Sequence, residues 1–298
     1  LLVLFFLSPV RAECMPLFDG LSWASWVVEG KPGEFRSDGG AITMTAQAQY
    51  PSWIRTENEY QDFRLRFEYM QSEWAEAAIL LRAPVHGRPA RAGLAVALKD
   101  DVPPYFSAWS TGGIPWAADP RARSPRVYDT WRRAEISLIG DHLTVSIDGT
   151  AMQDIHLDSH PELRYRLRRG VIGFPATGYR MAVRNIQIEE VPSSPAYPPL
   201  LPPDGPSGGP RRGSSGSFER QDDVILGKDG HGILYAPQEF QRFDFVSYVM
   251  SRTRANGGVF FLGSAQEPDP RGFEVQILNV PDSVYPTGSI YTIVRADS

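Results

Sequence analysis

Hydrophobic and polar residues alternate along much of this chain with a period of two. In Phe63-Arg64-Leu65-Arg66-Phe67-Glu68-Tyr69 every apolar side chain falls on one face and every charge on the other. A strand needs that arrangement when one side of its sheet is packed and the other is wet. The stretch His142-Leu143-Thr144-Val145-Ser146-Ile147 repeats it and runs into Asp148-Gly149, a dipeptide suited to a two-residue hairpin. Ala134, Ile136 and Leu138 alternate with polar neighbours just before, which predicts a meander. No long stretch carries the helical period. Many short strands separated by Gly, Pro and Asp turns predict an all-β protein, an antiparallel sandwich or jelly roll, rather than a parallel sheet flanked by helices.

The pattern stops between residues 192 and 217, where Pro dominates the front half and Gly and Ser the back half. Proline removes ladder donors and glycine favours a loose chain, so this stretch predicts a linker between two folding units, 13–191 and 218–298. All seven Trp precede it.

The two flanking units match each other. Tyr60-Gln61-Asp62-Phe63-Arg64-Leu65 lines up with Phe240-Gln241-Arg242-Phe243-Asp244-Phe245, an offset of 241 − 61 = 180. With no gap, Glu76-Ala77-Ala78-Ile79-Leu80 falls on Asn256-Gly257-Gly258-Val259-Phe260, and Gly93 to Leu98 on Phe273 to Leu278. Thr111-Gly112-Gly113-Ile114 meets Thr287-Gly288-Ser289-Ile290 after a four-residue deletion. A tandem repeat is expected, with one complete sandwich and a second copy cut short at Ser298.

At these residues the chain resembles the 3-keto-disaccharide hydrolase domain family, whose fold is a concanavalin-like or laminin-G-like jelly roll. Leu17-Phe18-Asp19-Gly20-Leu21 and Trp26 are similar to its opening motif, and residues 60–69 to its first long strand. Asn256 to Leu262, Glu274 to Asn279 and Gly288 to Tyr291 resemble its central motifs. Gly170-Val171-Ile172-Gly173-Phe174 and Val183-Arg184-Asn185-Ile186 look like its closing pair. Neither copy carries the full set. The first has Glu76-Ala77-Ala78 where the family has Asn-Ser-Gly, and Leu94-Ala95-Val96 in place of the Glu-x-Gln pair, but it keeps Arg82. The second keeps Glu274 and Gln276 but has Leu262 at the Arg position and Asn279 for Asp.

The resemblance implies chemistry on a sugar oxidised at C3. The ketone acidifies the C2 proton, a positioned base removes it, the C1 substituent leaves, and water then adds. Glu274 is the acid on the motif strand, and Gln276, two residues on, shares its face; the resemblance assigns this pair to catalysis. Asn256, Tyr291, Arg82 and Trp109 are the expected substrate contacts. An alternating strand facing solvent would also place Glu274 and Gln276 as they are, so a non-catalytic carbohydrate-binding module stays beside the enzyme. A cell-surface adhesion protein is a third class.

Composition narrows the partners. A formal net charge of −5 and a pI near 5.6 give no basic face for nucleic acid; the run from Arg164 to Arg169 is read as a solvated face. A carbohydrate is the expected partner. Trp53, Trp74, Trp109 and Trp116 are candidates for a platform stacking on pyranose rings. The single cysteine, Cys14, excludes an internal disulfide framework and a cysteine-based zinc site. No metal is expected, with calcium on Asp100 and Asp101 kept as an option. His156, Asp158 and His160 have metal-ligand chemistry on one face of an extended segment, with a loop cap as the alternative. The run Leu1-Leu2-Val3-Leu4-Phe5-Phe6-Leu7 is too short to span a bilayer. With Val10 and Ala12 after it, the run predicts a partial signal peptide over residues 1–12. An exported, periplasmic or extracellular protein without a membrane span in its mature chain is expected.

Overall fold

The alternating segments are strands. In the first of two units, residues 1–196, they are β1 (Met15–Pro16), β2 (Trp26–Glu29), β3 (Phe35–Asp38), β4 (Ala41–Met44), β5 (Ser52–Thr56) and β6 (Phe63–Gln71). They continue as β7 (Glu76–Ala83), β8 (Leu94–Lys99), β9 (Arg132–Ile139), β10 (His142–Ile147), β11 (Thr150–His156), β12 (Val171–Ala176) and β13 (Met181–Glu190). This computed structural model describes residues 14–18, 20–21, 23–45, 52–193, 200, 211–212, 215–221, 224–228, 230–243, 245–251, 255–263, 272–280 and 282–296. The expected signal peptide and most of the expected linker lie outside them.

The strands build two antiparallel sheets. One runs β11-β10-β9-β6-β13-β4-β3, with β1 also paired to β13; the other runs β2-β5-β12-β7-β8. The meander β9-β10-β11 is present, and its second hairpin turns at Asp148 and Gly149, both with positive φ (50° and 79°), as a type I′ turn requires. Phe63, Leu65, Phe67 and Tyr69 of β6 meet Ile79 and Leu81 of β7, Val96 of β8 and Phe174 of β12 in one core. Phe67 and Phe174 pack edge to face at 5.5 Å. Each fully buried Phe or Leu contributes roughly 1.5–3 kcal/mol. The cross-strand pairs on the wet face, Arg64 with Glu189 and Arg184 with Glu68, both at 2.7 Å, contribute at most about 1 kcal/mol each. The inner face therefore decides stability.

The second sheet is buried on both faces, which explains its near-continuous apolar strands. Leu94, Val96 and Leu98 of β8 face the core, while Ala95 turns outward into a small cluster with Trp53, Leu80, Ala83 and Val171. The short helix α1 (Pro89–Ala92) supplies Ala90 to this cluster. Within the basic run, Arg166 is an exception to the solvated reading: it is buried and donates to the carbonyls of Glu162, Ala90 and Gly93, and burial lowers its pKa.

The second unit, residues 197–298, holds three two-stranded antiparallel ladders among the described residues. They are β14 (Arg211–Arg212) with β17 (Ile233–Leu234), β15 (Ser217–Gln221) with β16 (Val224–Lys228), and β18 (Asn256–Phe261) with β19 (Phe273–Leu278). Among the described residues no helix is long and apolar enough to cross a membrane.

Candidate functional site

In the β18–β19 ladder Asn256 opposes Leu278, Gly258 opposes Gln276 and Phe260 opposes Glu274. Directly opposed residues share a face, so Asn256, Gln276 and Glu274 stand together. The Gln276 Nε2 donates to Asn256 Oδ1 at 2.9 Å, and the Gln276 side chain is buried. The backbone around it is locked from both sides. Its N–H donates to the Ser289 carbonyl at 2.9 Å, its carbonyl accepts from the Gly288 N–H at 2.8 Å, and the Glu274 carbonyl accepts from the Tyr291 N–H at 2.9 Å. Tyr291 is thereby tied to β19 through its amide, while its ring packs against Tyr285 at 5.5 Å.

The Glu274 carboxyl lies across the ladder over Gly258: a Cβ there would sit 2.3 Å from Glu274 Oε1. Burial pushes the Glu274 pKa up, because an ionised carboxylate loses hydration it does not regain. A half-buried acid with a raised pKa beside a fixed amide has the makeup of a general base with an oxygen-binding partner.

The ladder that the expected repeat pairs with this one carries alanines on that face. In the β7–β8 ladder Glu76 opposes Lys99, Ala78 opposes Ala97 and Leu80 opposes Ala95. Ladder for ladder, Ala95 and Ala97 stand where Glu274 and Gln276 stand. Leu94 and Val96, which the expected ungapped repeat sets against Glu274 and Gln276, point into the core.

Arg82 needs a second correction. It is fully buried, and its guanidinium donates to Asp62 Oδ1 (2.9 Å) and to the carbonyls of Gln61 (2.6 Å) and Gly140 (2.8 Å). Asp62 also accepts from the Gly140 N–H at 2.9 Å. This cation ties β6 and β7 to the β9–β10 turn and offers no face to a sugar.

Of the four candidate platform residues, Trp53 is buried in the outer cluster, whereas Trp74, Trp109 and Trp116 are exposed. Trp109 and Trp116 meet edge to face at 4.6 Å, with the Arg91 guanidinium 4.2 Å over Trp116. Arg126 lies over both Trp74 (5.1 Å) and Tyr128 (5.5 Å). Trp74 and Trp116 carry positive φ values of 64° and 67°, a strained backbone for a bulky residue and one met at ligand sites.

The metal candidates are engaged otherwise. Asp100 is buried and holds Arg126 and the Trp74 N–H. Burial alone would raise its pKa, yet these hydrogen bonds lower it. Asp101 accepts from the Thr111 N–H. His156 ends β11 and stacks on His142 at 4.5 Å, and residues 157–159 form a 3-10 turn, so the segment is not extended. Among the described residues no three His, Cys, Asp or Glu are grouped to hold a metal ion.

The first unit is thus an all-β, antiparallel jelly-roll sandwich. Residues 13–189 and 206–297 match the 3-keto-alpha-glucoside-1,2-lyase-like domain, and the chain belongs to that family. Two solved structures from Parabacteroides distasonis, both provisionally named glycosyl hydrolases, are similar. One shares 14% identity and covers 60% of this chain and 100% of its own, with a TM-score of 0.53. The other shares 15% and covers 60% and 94%, with a TM-score of 0.51. At such identities the likeness concerns the fold. A carbohydrate-binding module from Bacillus subtilis, at 15% identity, covers 56% and 96%, with a TM-score of 0.41. No curated protein matches the chain.

Gly258 is a residue of the candidate site that the sequence did not announce. A glycine opposite the Glu-x-Gln strand carries no chemistry, and only its closeness to the Glu274 carboxyl gives it a role.

Proposed function

We propose that this is an exported carbohydrate-active protein built from two copies of one domain, in which the second copy eliminates across C1–C2 of a 3-keto-glycoside and the first binds glycan. The observation that carries the catalytic part is the Glu274 carboxyl, raised in pKa by burial, beside the Asn256-clamped Gln276. Glu274 takes the C2 proton, and the C2–H electrons form an enolate toward the C3 ketone. The C1–O bond then breaks, its electrons leave with the aglycone oxygen, and that oxygen takes up a proton; water adding at C1 completes hydrolysis. Gln276 would steady the developing oxyanion.

Repeated local geometry supports the two-copy reading. Arg82 and Leu262 both have positive φ, 45° and 59°. The hydroxyls of Thr111 and Thr287 donate to the carbonyls of Lys99 and Leu278 respectively. The Gly112 and Gly288 amides donate to Ala97 and Gln276. The binding role of the first copy rests on Ala95 and Ala97, which remove the acid and the amide, and on the exposed Trp109 and Trp116. Export rests on the apolar run at residues 1–7.

Incubating the chain with a 4-nitrophenyl 3-keto-α-glucoside tests this reading. Release of nitrophenol, absent with the unoxidised glucoside, is expected. Equal tight binding of both glycosides without release from either would leave only a binding module.

A further inference from the structure

The outer face of the larger sheet in the first unit carries a groove of about 270 Å³ that the reading above does not use. Across it, Ser137 of β9 opposes Thr144 of β10, Arg64 of β6 opposes Ser137, and Arg66 opposes Glu135; Ser146 faces Glu135 from β10. The small hydroxyl side chains make a low floor between taller charged walls, with Arg64 and Arg66 on one side and Arg121 and Asp154 on the other.

Two features point to a ligand. The hydroxyls of Ser137, Thr144 and Ser146 are half-buried and make no hydrogen bond among the described residues, although a hydroxyl both donates and accepts. Arg66 likewise makes none there; its one ion pair, to Glu135, is 4.0 Å long, beyond hydrogen-bond reach. The groove is also cationic against the trend of the chain. Three guanidinium groups line it with two carboxylates, in a protein of net charge −5. Each of the other charges has a partner: Glu135 pairs with Arg133 at 2.6 Å, Asp154 with His142 at 2.7 Å and Arg121 at 3.0 Å, and Arg64 with Glu189 at 2.7 Å. Arg66 is the cation left with donors to spare.

We infer that this groove is a second saccharide site, specific for an acidic sugar, with Arg66 on the carboxylate or sulfate and the Ser137, Thr144 and Ser146 hydroxyls on the ring hydroxyls. A planar guanidinium suits a bidentate oxyanion, and a hydroxyl floor suits a polyol.

The test uses the whole chain at low salt, titrated with methyl glucuronide, glucose 6-sulfate and methyl glucoside and followed by nuclear magnetic resonance. At least one acidic sugar should bind roughly tenfold or more tighter than the neutral glucoside, shifting the Ser137, Thr144 and Ser146 amides; which of the two does so separates a uronic acid from a sulfated sugar. Arg66→Gln and Thr144→Val, both on the wet face, should remove the preference and weaken binding of the acidic sugar. Equal binding of acidic and neutral sugars, no binding of any of the three, shifts confined to other residues, or an acid preference surviving Arg66→Gln would each overturn the inference.

Discussion

Gly258 and Glu274 lie on one face of the same two-stranded ladder, and the carboxyl of one occupies the space a side chain on the other would need. The distance from an added Cβ to Glu274 Oε1 is 2.3 Å. Because the obstructing atoms, Oε1, Cγ and Cδ, all belong to the Glu274 side chain and none to backbone, Gly258→Ala should fold while turning that side chain away. Turnover should fall roughly tenfold or more, and the Glu274 pKa should drop toward the ordinary glutamate range as the carboxyl meets water. A side-chain resonance titrating as in the parent protein would contradict this placement.

The raised pKa of Glu274 has two consequences of known sign. A base must be ionised to act, so the acid limb of the rate profile should have its midpoint above the ordinary glutamate value of about 4.3. The folded state also holds a proton that the unfolded state has released, so this group's contribution to stability falls as pH rises from the ordinary value through the raised one. Glu274→Gln should abolish that stability slope, as thermal melts across the window would reveal.

Arg82 and Asp62 form a buried pair whose separation leaves one charge stranded. Arg82→Met should cost about 3–5 kcal/mol, and adding Asp62→Asn, which keeps an acceptor for the Gly140 N–H, should recover part of it. Chemical denaturation of both variants checks this. Loss of sugar affinity without loss of stability in Arg82→Met would restore Arg82 to the binding site.

Trp109 and Trp53 should separate binding from stability. Removing the exposed ring in Trp109→Ala should weaken glycan binding by about 0.5–1.5 kcal/mol, roughly two- to tenfold, with little change in melting. Trp53→Ala should instead cost about 3–5 kcal/mol of stability. Calorimetry on each variant, with and without sugar, measures the two quantities.

The contrast between the two sheets explains what could be read from the residues alone. β6, β9 and β10 alternate cleanly because one face is wet, so their strands and the Asp148-Gly149 turn were legible. β7 and β8 are covered on both sides; Leu94, Ala95, Val96, Ala97 and Leu98 are all apolar, and no period marks which of them face outward. That Ala95 faces outward while Leu94 and Val96 face the core was therefore hidden until the ladder partners were known. Arg82 was expected at the sugar because the resembled motif has Arg there; its burial depends on Asp62 and on the carbonyls of Gln61 and Gly140, which the motif does not reveal. The shared face of Glu274 and Gln276 was legible because a spacing of two on a strand guarantees it. The acidic-sugar groove was visible beforehand only as wet positions, since its floor and walls come from four strands.

The central claim is that Glu274 removes the C2 proton of a 3-keto-glycoside. Binding a 3-keto-glucoside in deuterated water and following the C2 position by nuclear magnetic resonance reports that step alone. The parent chain should exchange or eliminate at C2, and Glu274→Gln should do neither while keeping its affinity for the sugar within roughly threefold. Undiminished loss of the C2 proton in Glu274→Gln would contradict the assignment.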